Sequence, residues 1–268
     1  MPELPEVETT VRGLAQVLQG RRIARVEARR ADLRRSFPED LGQRLTGARV
    51  TGLGRRAKYG LIHTDRGDTM IFHLGMSGSW RINHSKLEKH DHLLLETDDG
   101  TRLALNDPRR FGSVDLVETD RLAEWPAIKV LGPEPLDINA EALKHRLAGR
   151  TAPIKLLLLD QRIIAGLGNI YVCEALFRAG IHPKRAGGSI SLDRLKRLVP
   201  AIHDVLAEAI AAGGSSLRDF ASPDGELGYF SKSFAVYDRE GQPCVGGGTV
   251  RRIVQGGRST FYCPECQH

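Results

Sequence analysis

The chain has 268 residues, of which 41% are hydrophobic and 27% are charged. This is the composition of a folded globular protein long enough for two domains, and no apolar run reaches the roughly 18 residues of a membrane span. The formal net charge of +6 suits a polyanionic partner, because each cation that meets a phosphate releases counterions. The alternative is a basic protein without such a partner. The first residues, MPELPEVE, lack the basic and apolar regions of a signal peptide, so a cytoplasmic location is expected.

The first predicted element is a helix near the N-terminus. Apolar residues recur there with helical spacing, and a glycine suits the helix end; these are Val7, Val11, Leu14, Leu18 and Gly20. Strand-like runs separated by turn residues follow, and they indicate a β-sandwich or barrel-like domain. The runs are RIARVEA from Arg22, RVTGLG from Arg49, YGLIHT from Tyr59, TMIFHL from Thr69, HLLLETD from His92, RLALND from Arg102 and SVDLVE from Ser113.

Helical patterns replace the strands after LGPEPLD at 131–137, and Gly and Pro residues separate them. The predicted helices are AEALKHRLAG, PIKLLLLDQRIIAG, NIYVCEALFRAG and LDRLKRLVPAIHDVLAEAIAAGG. A loop rich in Ser, Asp and Gly follows at 215–233, and a β-hairpin with clustered cysteines ends the chain. We predict an α+β fold with a β-sandwich domain at 1–131, a helical domain with the loop at 132–233, and a hairpin module at 234–268.

The N-terminus offers a reactive amine. Removal of Met1 before a proline would leave Pro2 as a free secondary amine, which titrates near neutrality and is a nucleophile. Glu3 and Glu6 lie beside it in the sequence and are suited to proton transfer. A disordered end, or a helix N-terminus at which carboxylates favour the helix dipole, is the alternative interpretation of the same residues.

The string PELPEVETTVRGL at 2–14 resembles the N-terminus of bacterial formamidopyrimidine-DNA glycosylase. Further strings resemble the same family in the same order, and together they span almost the whole chain. They are RRAKYG (55–60), HLGMSGSWR (73–81), KHDH (89–92), NDPRRFG (106–112), GLGNIYVCEALF (166–177), DFASPDGELGYFS (219–231) and RSTFYCPEC (258–266).

The resemblance implies a β-sandwich with an N-terminal helix, a helix–two-turns–helix domain and a zinc-finger hairpin. It also implies a monomeric, nucleoid-associated bacterial enzyme that acts on double-stranded DNA containing oxidised purines or abasic sites. Such an enzyme removes 8-oxoguanine and formamidopyrimidines and then cleaves the strand by β- and δ-elimination.

Catalytic roles follow from the resemblance position by position. Pro2 corresponds to the Schiff-base nucleophile, and Glu3 to the group that protonates the sugar oxygen as the ring opens. Glu6 would support that site. Lys58 resembles the lysine that assists β-elimination and contacts phosphate, and Arg258 resembles the arginine that contacts phosphates and is assigned to δ-elimination.

DNA contacts follow in the same way. An enzyme that flips a base fills the gap with apolar and planar cationic side chains, and Met76, Arg109 and Phe111 match the family's intercalating triad. Asn169 begins a helix after two glycines, where backbone N–H groups can bind phosphate. The other expected DNA contacts are His90, Arg150 and Lys155. The stretch 215–231 resembles the loop that closes over the flipped lesion.

The hairpin departs from the family pattern of two C-x2-C pairs. Cys263 and Cys266 form one pair, but Cys244 is followed by Gly247 at the position of the fourth cysteine. Three thiolates can still hold zinc with water or another ligand, at a cost in affinity. We predict one structural zinc, with His268 as the nearest candidate for the fourth ligand. The alternative is a hairpin held by packing alone. The remaining cysteine, Cys173, is expected to be buried in a helix.

Two other functions remain open at this point. One is an endonuclease VIII-type glycosylase for oxidised pyrimidines, which shares the N-terminal proline and glutamate. The other is a non-catalytic relative that binds damaged DNA, with which the incomplete cysteine set would agree.

Overall fold

The computed structural model describes residues 2–215 and 228–268. The chain divides into two compact units, one of Met1–Lys129 with Ala212–Tyr229 and one of Val130–Ala211 with Phe230–His268. The first boundary lies close to the predicted one at 131. The end of the helical segment groups with the N-terminal unit, whereas the sequence placed it in the second domain. The hairpin groups with the helices, so its status as a separate domain stays a prediction.

The first unit consists of one long helix and two antiparallel sheets of four strands. The sheets have the strand orders β1-β6-β7-β5 and β2-β3-β4-β8, and neighbouring strands are antiparallel throughout. The elements are α1 (Leu4–Leu18), β1 (Ile23–Ala28), α2 (Leu41–Leu45), β2 (Val50–Arg56), β3 (Tyr59–Thr64), β4 (Asp68–His73), β5 (Ser79–Ile82), β6 (Asp91–Thr97), β7 (Arg102–Asn106), β8 (Ser113–Glu118), a 3-10 turn (Thr119–Glu124) and α3 (Pro126–Lys129).

The core of this unit takes side chains from α1 and from both sheets. Leu14 of α1, Phe72 of β4 and Trp80 of β5 belong to one buried cluster, and the two aromatic rings meet edge-on with centroids 5.7 Å apart. The apolar stripe predicted for the first helix is buried in this core, as its helical spacing requires. The α+β class and the sandwich are therefore confirmed.

The second unit is mainly helical and ends in a hairpin. Its elements are α4 (Ala140–Leu147), α5 (Ile154–Leu159), α6 (Asn169–Arg178), a 3-10 turn (Gly187–Ser189), α7 (Leu192–Ala211), a 3-10 turn (Phe230–Ser233), β9 (Arg251–Gln255) and β10 (Arg258–Tyr262). The buried residues of α7 follow one face and include Leu195, Leu198, Ile202 and Leu206. Within the described ranges, no helix has both the length and the apolar character that crossing a membrane requires.

The helix predicted over PIKLLLLDQRIIAG ends early, at Leu159. The side chain of Gln161 holds the chain in a turn there, because its amide nitrogen donates to the carbonyls of Leu159 and Leu167 at 2.9 and 3.0 Å. Its amide oxygen accepts the N–H of Gly166 at 2.8 Å. This turn leads directly to the start of α6 at Asn169.

Candidate active site and nucleic-acid interface

The N-terminal helix begins with reciprocal hydrogen bonds between two buried glutamates. Glu3 caps α1: its side chain accepts the backbone N–H of Glu6, and its own backbone N–H donates to Glu6 Oε2 at 2.8 Å. Such a capping box satisfies two backbone donors that a helix start leaves open. Pro2 is buried immediately before this cap. The structure therefore holds Pro2 and Glu3 at a fixed helix start.

The second carboxylate oxygen of Glu6 is also occupied. Glu6 Oε1 accepts the backbone N–H of Ser215 at 2.8 Å and its hydroxyl at 2.9 Å. Gly214 precedes that serine with a φ of +86°, and a Cβ there would lie 3.1 Å from Glu6 Oε1. Glycine suits this position because it adopts a positive φ without strain and because it has no Cβ to crowd the Glu6 carboxylate. Glu6 thus joins the start of α1 to the end of the stretch 212–215.

Lys58 lies in a two-residue turn between β2 and β3, where Arg56 pairs with Tyr59. The other turn residue, Ala57, has a φ of +52°, a left-handed conformation that costs energy for a residue with a side chain. Arg55 supports the turn, since its Nη1 donates to the Ala57 carbonyl at 2.9 Å. Its Nε donates to Glu8 Oε2 of α1 at 3.0 Å. The turn that carries Lys58 is thereby tied to the N-terminal helix.

His73 lies near this turn at the end of β4. Burial, together with the positive charges of Lys58, Arg34 and Arg35, lowers the pKa of His73 to about 4. Its Nδ1 accepts the backbone N–H of Gly75 at 3.0 Å, which the neutral ring does well. A neutral histidine among three cations leaves the neighbourhood of Lys58 strongly positive, as a phosphate-binding surface requires.

Asp107 ties three loops of the first unit together. This completely buried carboxylate accepts the hydroxyl of Ser77 at 2.7 Å and the backbone N–H of Gly112 at 2.8 Å. Its backbone N–H donates to the carbonyl of His90 at 3.0 Å. The Ser77 hydroxyl also accepts the N–H of Arg109 at 3.1 Å. Asp107 and Ser77 were not predicted from the sequence. The acidic residue within the basic string NDPRRFG was nevertheless a signal, because a carboxylate cannot itself contact phosphate and therefore has another role.

The predicted intercalating residues lie on the loops that Asp107 holds. Phe111 is 45% exposed, which is unusual for so large an apolar side chain. The exposed guanidinium of Arg109 lies 5.0 Å from its ring centroid. Met76 is half-buried on the neighbouring loop. A Cβ on Gly75 would lie 2.4 Å from the Phe111 backbone, so the two loops are in direct contact.

Arg258 and Asn169 both lie at the hairpin of the second unit. Gly256 and Gly257 have φ values of +56° and +72°, as a tight two-residue hairpin turn requires, and the exposed Arg258 follows them. Asn169 begins α6 and donates from Nδ2 to the carbonyl of Ser259 at 2.8 Å. Its amide is therefore engaged with the strand that carries Arg258.

Glu174 of α6 is a second attachment point for the hairpin module. It is completely buried, and its carboxylate accepts the backbone N–H groups of Ala235, Val236 and Tyr237 at 2.9, 3.0 and 2.8 Å. These charge-assisted hydrogen bonds attach residues 235–237, which lead into the hairpin, to helix α6. This attachment does not depend on a metal bound by the cysteines. Glu174 was not predicted from the sequence, because an acidic residue within an apolar helical stripe carries no signal of its distant partners.

The remaining predicted DNA contacts of the second unit differ in exposure. Arg150 is exposed. Lys155 is completely buried in α5. A side chain that contacts the DNA backbone needs an accessible position. The short, apolar α5 directs Lys155 inward together with Ile154 and Leu158. The expectation for Lys155 is therefore not supported by its position.

Three cysteines converge in the hairpin module. The sulfurs of Cys244, Cys263 and Cys266 lie within 4.8 Å of one another; Cys244 Sγ is 2.9 Å from Cys263 Sγ and 3.4 Å from Cys266 Sγ. This convergence fits a tetrahedral zinc site, in which thiolates are the preferred structural ligands. His268, the candidate fourth ligand, is not among the described groups that converge with these sulfurs. That part of the expectation is not supported.

The three thiols shift one another's pKa in different directions. Burial acts to raise the pKa of Cys244, but hydrogen bonds from Cys263, Cys266 and the backbone of Gly246 and Gly248 lower it on balance. Burial and the bond to Cys244 raise the pKa of Cys263 to about 12. Without a metal the sulfurs would therefore share protons, and a dication would displace them.

Comparison with known proteins agrees with this arrangement. The formamidopyrimidine-DNA glycosylase N-terminal domain matches residues 1–114, and the H2TH domain of the same enzyme matches 131–221. The zinc finger found in FPG and IleRS matches 247–268. The formamidopyrimidine-DNA glycosylase of Novosphingobium aromaticivorans is 69% identical, and that of Rhizorhabdus wittichii 66%, each over the whole of both chains. The chain belongs to the formamidopyrimidine-DNA glycosylase family.

Solved structures of the family have the same fold. A Lactococcus lactis FPG mutant in complex with DNA containing Fapy-dG superposes with a TM-score of 0.92 at 34% identity, over the full length of both chains. The Lactococcus lactis Fpg bound to DNA containing an abasic site gives the same TM-score and identity, again with full coverage. Family membership makes the chain a DNA glycosylase and lyase, and the zinc-finger match together with the cysteine cluster is consistent with one structural zinc.

Proposed function

We propose that this protein excises oxidised purines, 8-oxoguanine and formamidopyrimidines, from duplex DNA and then nicks the abasic site. The observation that carries the proposal is the buried N-terminal arrangement of Pro2, Glu3 and Glu6. The relatives crystallised with Fapy-dG and abasic-site DNA support the substrate class. Neither an endonuclease VIII-type activity nor a binding-only role is favoured by these relatives.

The proposed reaction starts from the Pro2 amine, which becomes the N-terminus when Met1 is removed. The amine attacks C1′ of the damaged nucleotide, and the bond from C1′ to the base breaks. Glu3 protonates the ring oxygen as the sugar opens, which leaves an iminium between Pro2 and C1′. The iminium acts as an electron sink, so loss of a C2′ proton expels the 3′ phosphate, and a second elimination expels the 5′ phosphate.

Lys58 and Arg258 are the proposed phosphate ligands of these eliminations. Lys58 has a cationic neighbourhood and a turn held by Arg55, which suits a fixed contact with one leaving phosphate. Arg258 is exposed at the start of β10, where its guanidinium is accessible to phosphate. The zinc ion held by Cys244, Cys263 and Cys266 would supply a structural cross-link in the same module, not a reacting group.

The proposed DNA interface combines a wedge with phosphate contacts. Phe111 and Met76 would fill the space that the flipped base leaves, and Arg109 would hydrogen-bond the orphaned cytosine. Other phosphate contacts are proposed for His90, Arg150 and Asn169, and Lys155 is omitted because of its burial. We further propose that the protein acts as a monomer in the cytoplasm, associated with the nucleoid.

A comparison of lesions tests this function. Duplexes carrying 8-oxoguanine opposite cytosine and duplexes carrying thymine glycol opposite adenine are incubated separately with the protein, and base release and strand nicking are followed. We expect release and nicking at 8-oxoguanine and at most weak release of thymine glycol. The reverse preference would assign the protein to the pyrimidine-specific enzymes, and binding without release would assign it to the non-catalytic class.

A further inference from the structure

A basic cleft, called the α4 cleft below, lies in the second unit between α4 and the turn that ends α5. Its volume is about 720 Å³, which is within the range of clefts that bind ligands. Three exposed arginines, Arg146, Arg150 and Arg162, line it together with the exposed His145. The wall also includes Ile163, which is almost completely buried. The α4 cleft therefore gathers three permanently charged guanidinium groups around a partly apolar wall.

The negative charge in the α4 cleft is already compensated. Among the described residues that line it, Asp160 is the only carboxylate. Its Oδ1 accepts the backbone N–H and the Nε–H of Arg162 at 3.0 and 2.9 Å, and its Oδ2 accepts Nη2 at 2.7 Å. These hydrogen bonds lower the pKa of Asp160, and the charge of Arg150 lowers it as well, although partial burial acts in the opposite direction. Asp160 thus balances one of the three arginine charges and leaves two for a ligand.

Hydrogen bonds hold two of the guanidinium groups in place. Arg162 is fixed on Asp160, and Arg146 Nη1 donates to the carbonyl of Arg162 at 3.2 Å. A cation in the last turn of a helix also stabilises the helix dipole, which is a structural reason for Arg146. Arg150 and Arg162 lie outside α4, so the dipole does not account for them. A cluster fixed before a ligand arrives binds an anion at a lower cost in side-chain entropy.

The turn that carries Arg162 continues to the proposed phosphate contact, Asn169. Gln161 closes this turn through its hydrogen bonds to the carbonyls of Leu159 and Leu167. A DNA strand carries one phosphate for about every 3.4 Å of helix axis, so a strand bound at Asn169 presents further phosphates to neighbouring cations. Guanidinium groups bind phosphate through paired N–H donors. The phosphodiester backbone is therefore the anion that fits this cleft in a protein whose substrate is DNA.

We propose that the α4 cleft binds phosphate groups of the DNA strand beyond the one that Asn169 would contact, with Arg146, Arg150 and Arg162 as the ligands. The cleft increases the affinity for duplex DNA, damaged or undamaged, and takes no part in the chemistry of base excision. The inference rests on the proposed function for its choice of duplex DNA as the ligand. It adds Arg146 and Arg162 to the DNA interface.

The salt dependence of DNA affinity tests this proposal, because each phosphate contact contributes about 0.9 to the slope of log K against log salt concentration. Fluorescence anisotropy measures the binding of the full-length protein to an undamaged duplex between about 0.05 and 0.2 M salt. We expect the double variant Arg146→Gln/Arg162→Gln to reduce the slope by about 2. Lys196→Gln/Arg197→Gln removes two exposed charges from α7 and is the matched control, which should keep the slope. Arg146→Lys/Arg162→Lys, which retains both charges, should keep most of it.

Three results would overturn the proposal. The first is a slope in the glutamine variant equal to that of the α7 control. The second is an equal loss in the lysine variant, which would assign the effect to packing; far-UV circular dichroism checks that every variant is folded. The third is unchanged DNA binding with lost binding of a polyglutamate peptide, which would assign the cleft to an acidic protein segment. Base release by the unmodified protein is measured in parallel, and its absence would count against the proposed function alone, because the salt slope depends on binding and not on chemistry.

Discussion

Substitution of Glu6 by Gln should disrupt the N-terminal site while leaving the shape of the side chain intact. One oxygen of Glu6 accepts the N–H of Glu3, and the other accepts both donors of Ser215. The glutamine amide has only one accepting oxygen, so its NH2 group must face an N–H donor on one side. Hydrogen bonds to a charged group contribute about 1.5–3 kcal/mol each, and a buried donor without a partner costs about 1–3 kcal/mol.

We therefore expect Glu6→Gln to lower the free energy of unfolding by about 3 kcal/mol, measured by urea denaturation. Ser215→Ala removes only the hydroxyl contact and should cost about 1 kcal/mol. Glu39→Gln, a substitution of an exposed carboxylate, is the control and should cost almost nothing. The covalent capture of abasic DNA should slow in Glu6→Gln, because Pro2 loses its fixed position. Stability and capture rate equal to those of Glu39→Gln would refute the role assigned to Glu6.

Three further predictions concern other parts of the first unit. Asp107→Asn should weaken binding to abasic-site DNA at least about tenfold, because Ser77 on the loop of Met76 and Gly112 on the loop of Phe111 lose their common carboxylate acceptor; unchanged affinity in a filter-binding or anisotropy assay would contradict this. Arg55→Lys should slow β-elimination more than base release, because a lysine ammonium lacks the separate Nε and Nη1 donors with which Arg55 reaches Glu8 and the Ala57 carbonyl; equal effects on the two steps would argue against a role in positioning Lys58. The lowered pKa of His73 stabilises the folded state fully above its unfolded value near 6.5, and that contribution, at most about 3 kcal/mol, should be lost as the pH falls toward 4. His73→Gln should flatten this part of the pH–stability curve, and a curve of unchanged slope would exclude His73 as its source.

Periodic patterns and turn chemistry predicted most of the fold. The stripe of Val7, Val11, Leu14 and Leu18 identified the first helix, because helical spacing is a local property. Strand β5 was missed, because Ser79–Ile82 is short and has no clear alternation of apolar and polar residues. The helix after Pro153 was predicted too long, because the turn that ends it depends on hydrogen bonds from one side chain, Gln161.

The site was predictable where it resembles a family and not where it depends on distant contacts. Pro2, Lys58 and Arg258 lie in strings that identify them. The partners of Asp107 and Glu174 are separated from them by up to 63 positions in the sequence. No local sequence pattern predicts such pairs. Burial of Lys155 is likewise a tertiary property, since a lysine in a sequence is expected at the surface.

Borohydride trapping on a duplex with 8-oxoguanine opposite cytosine tests the central claim most directly, because borohydride reduces an iminium to a stable covalent link. The protein with Pro2 at its N-terminus should form a trapped protein–DNA species. Pro2→Leu, whose large second residue retains Met1, should form none, and Pro5→Ala, a proline substitution in the helix that follows, should still trap. Equal trapping by Pro2→Leu and the unmodified protein would show that another amine attacks the sugar, and trapping by none of the three would contradict the amine mechanism altogether.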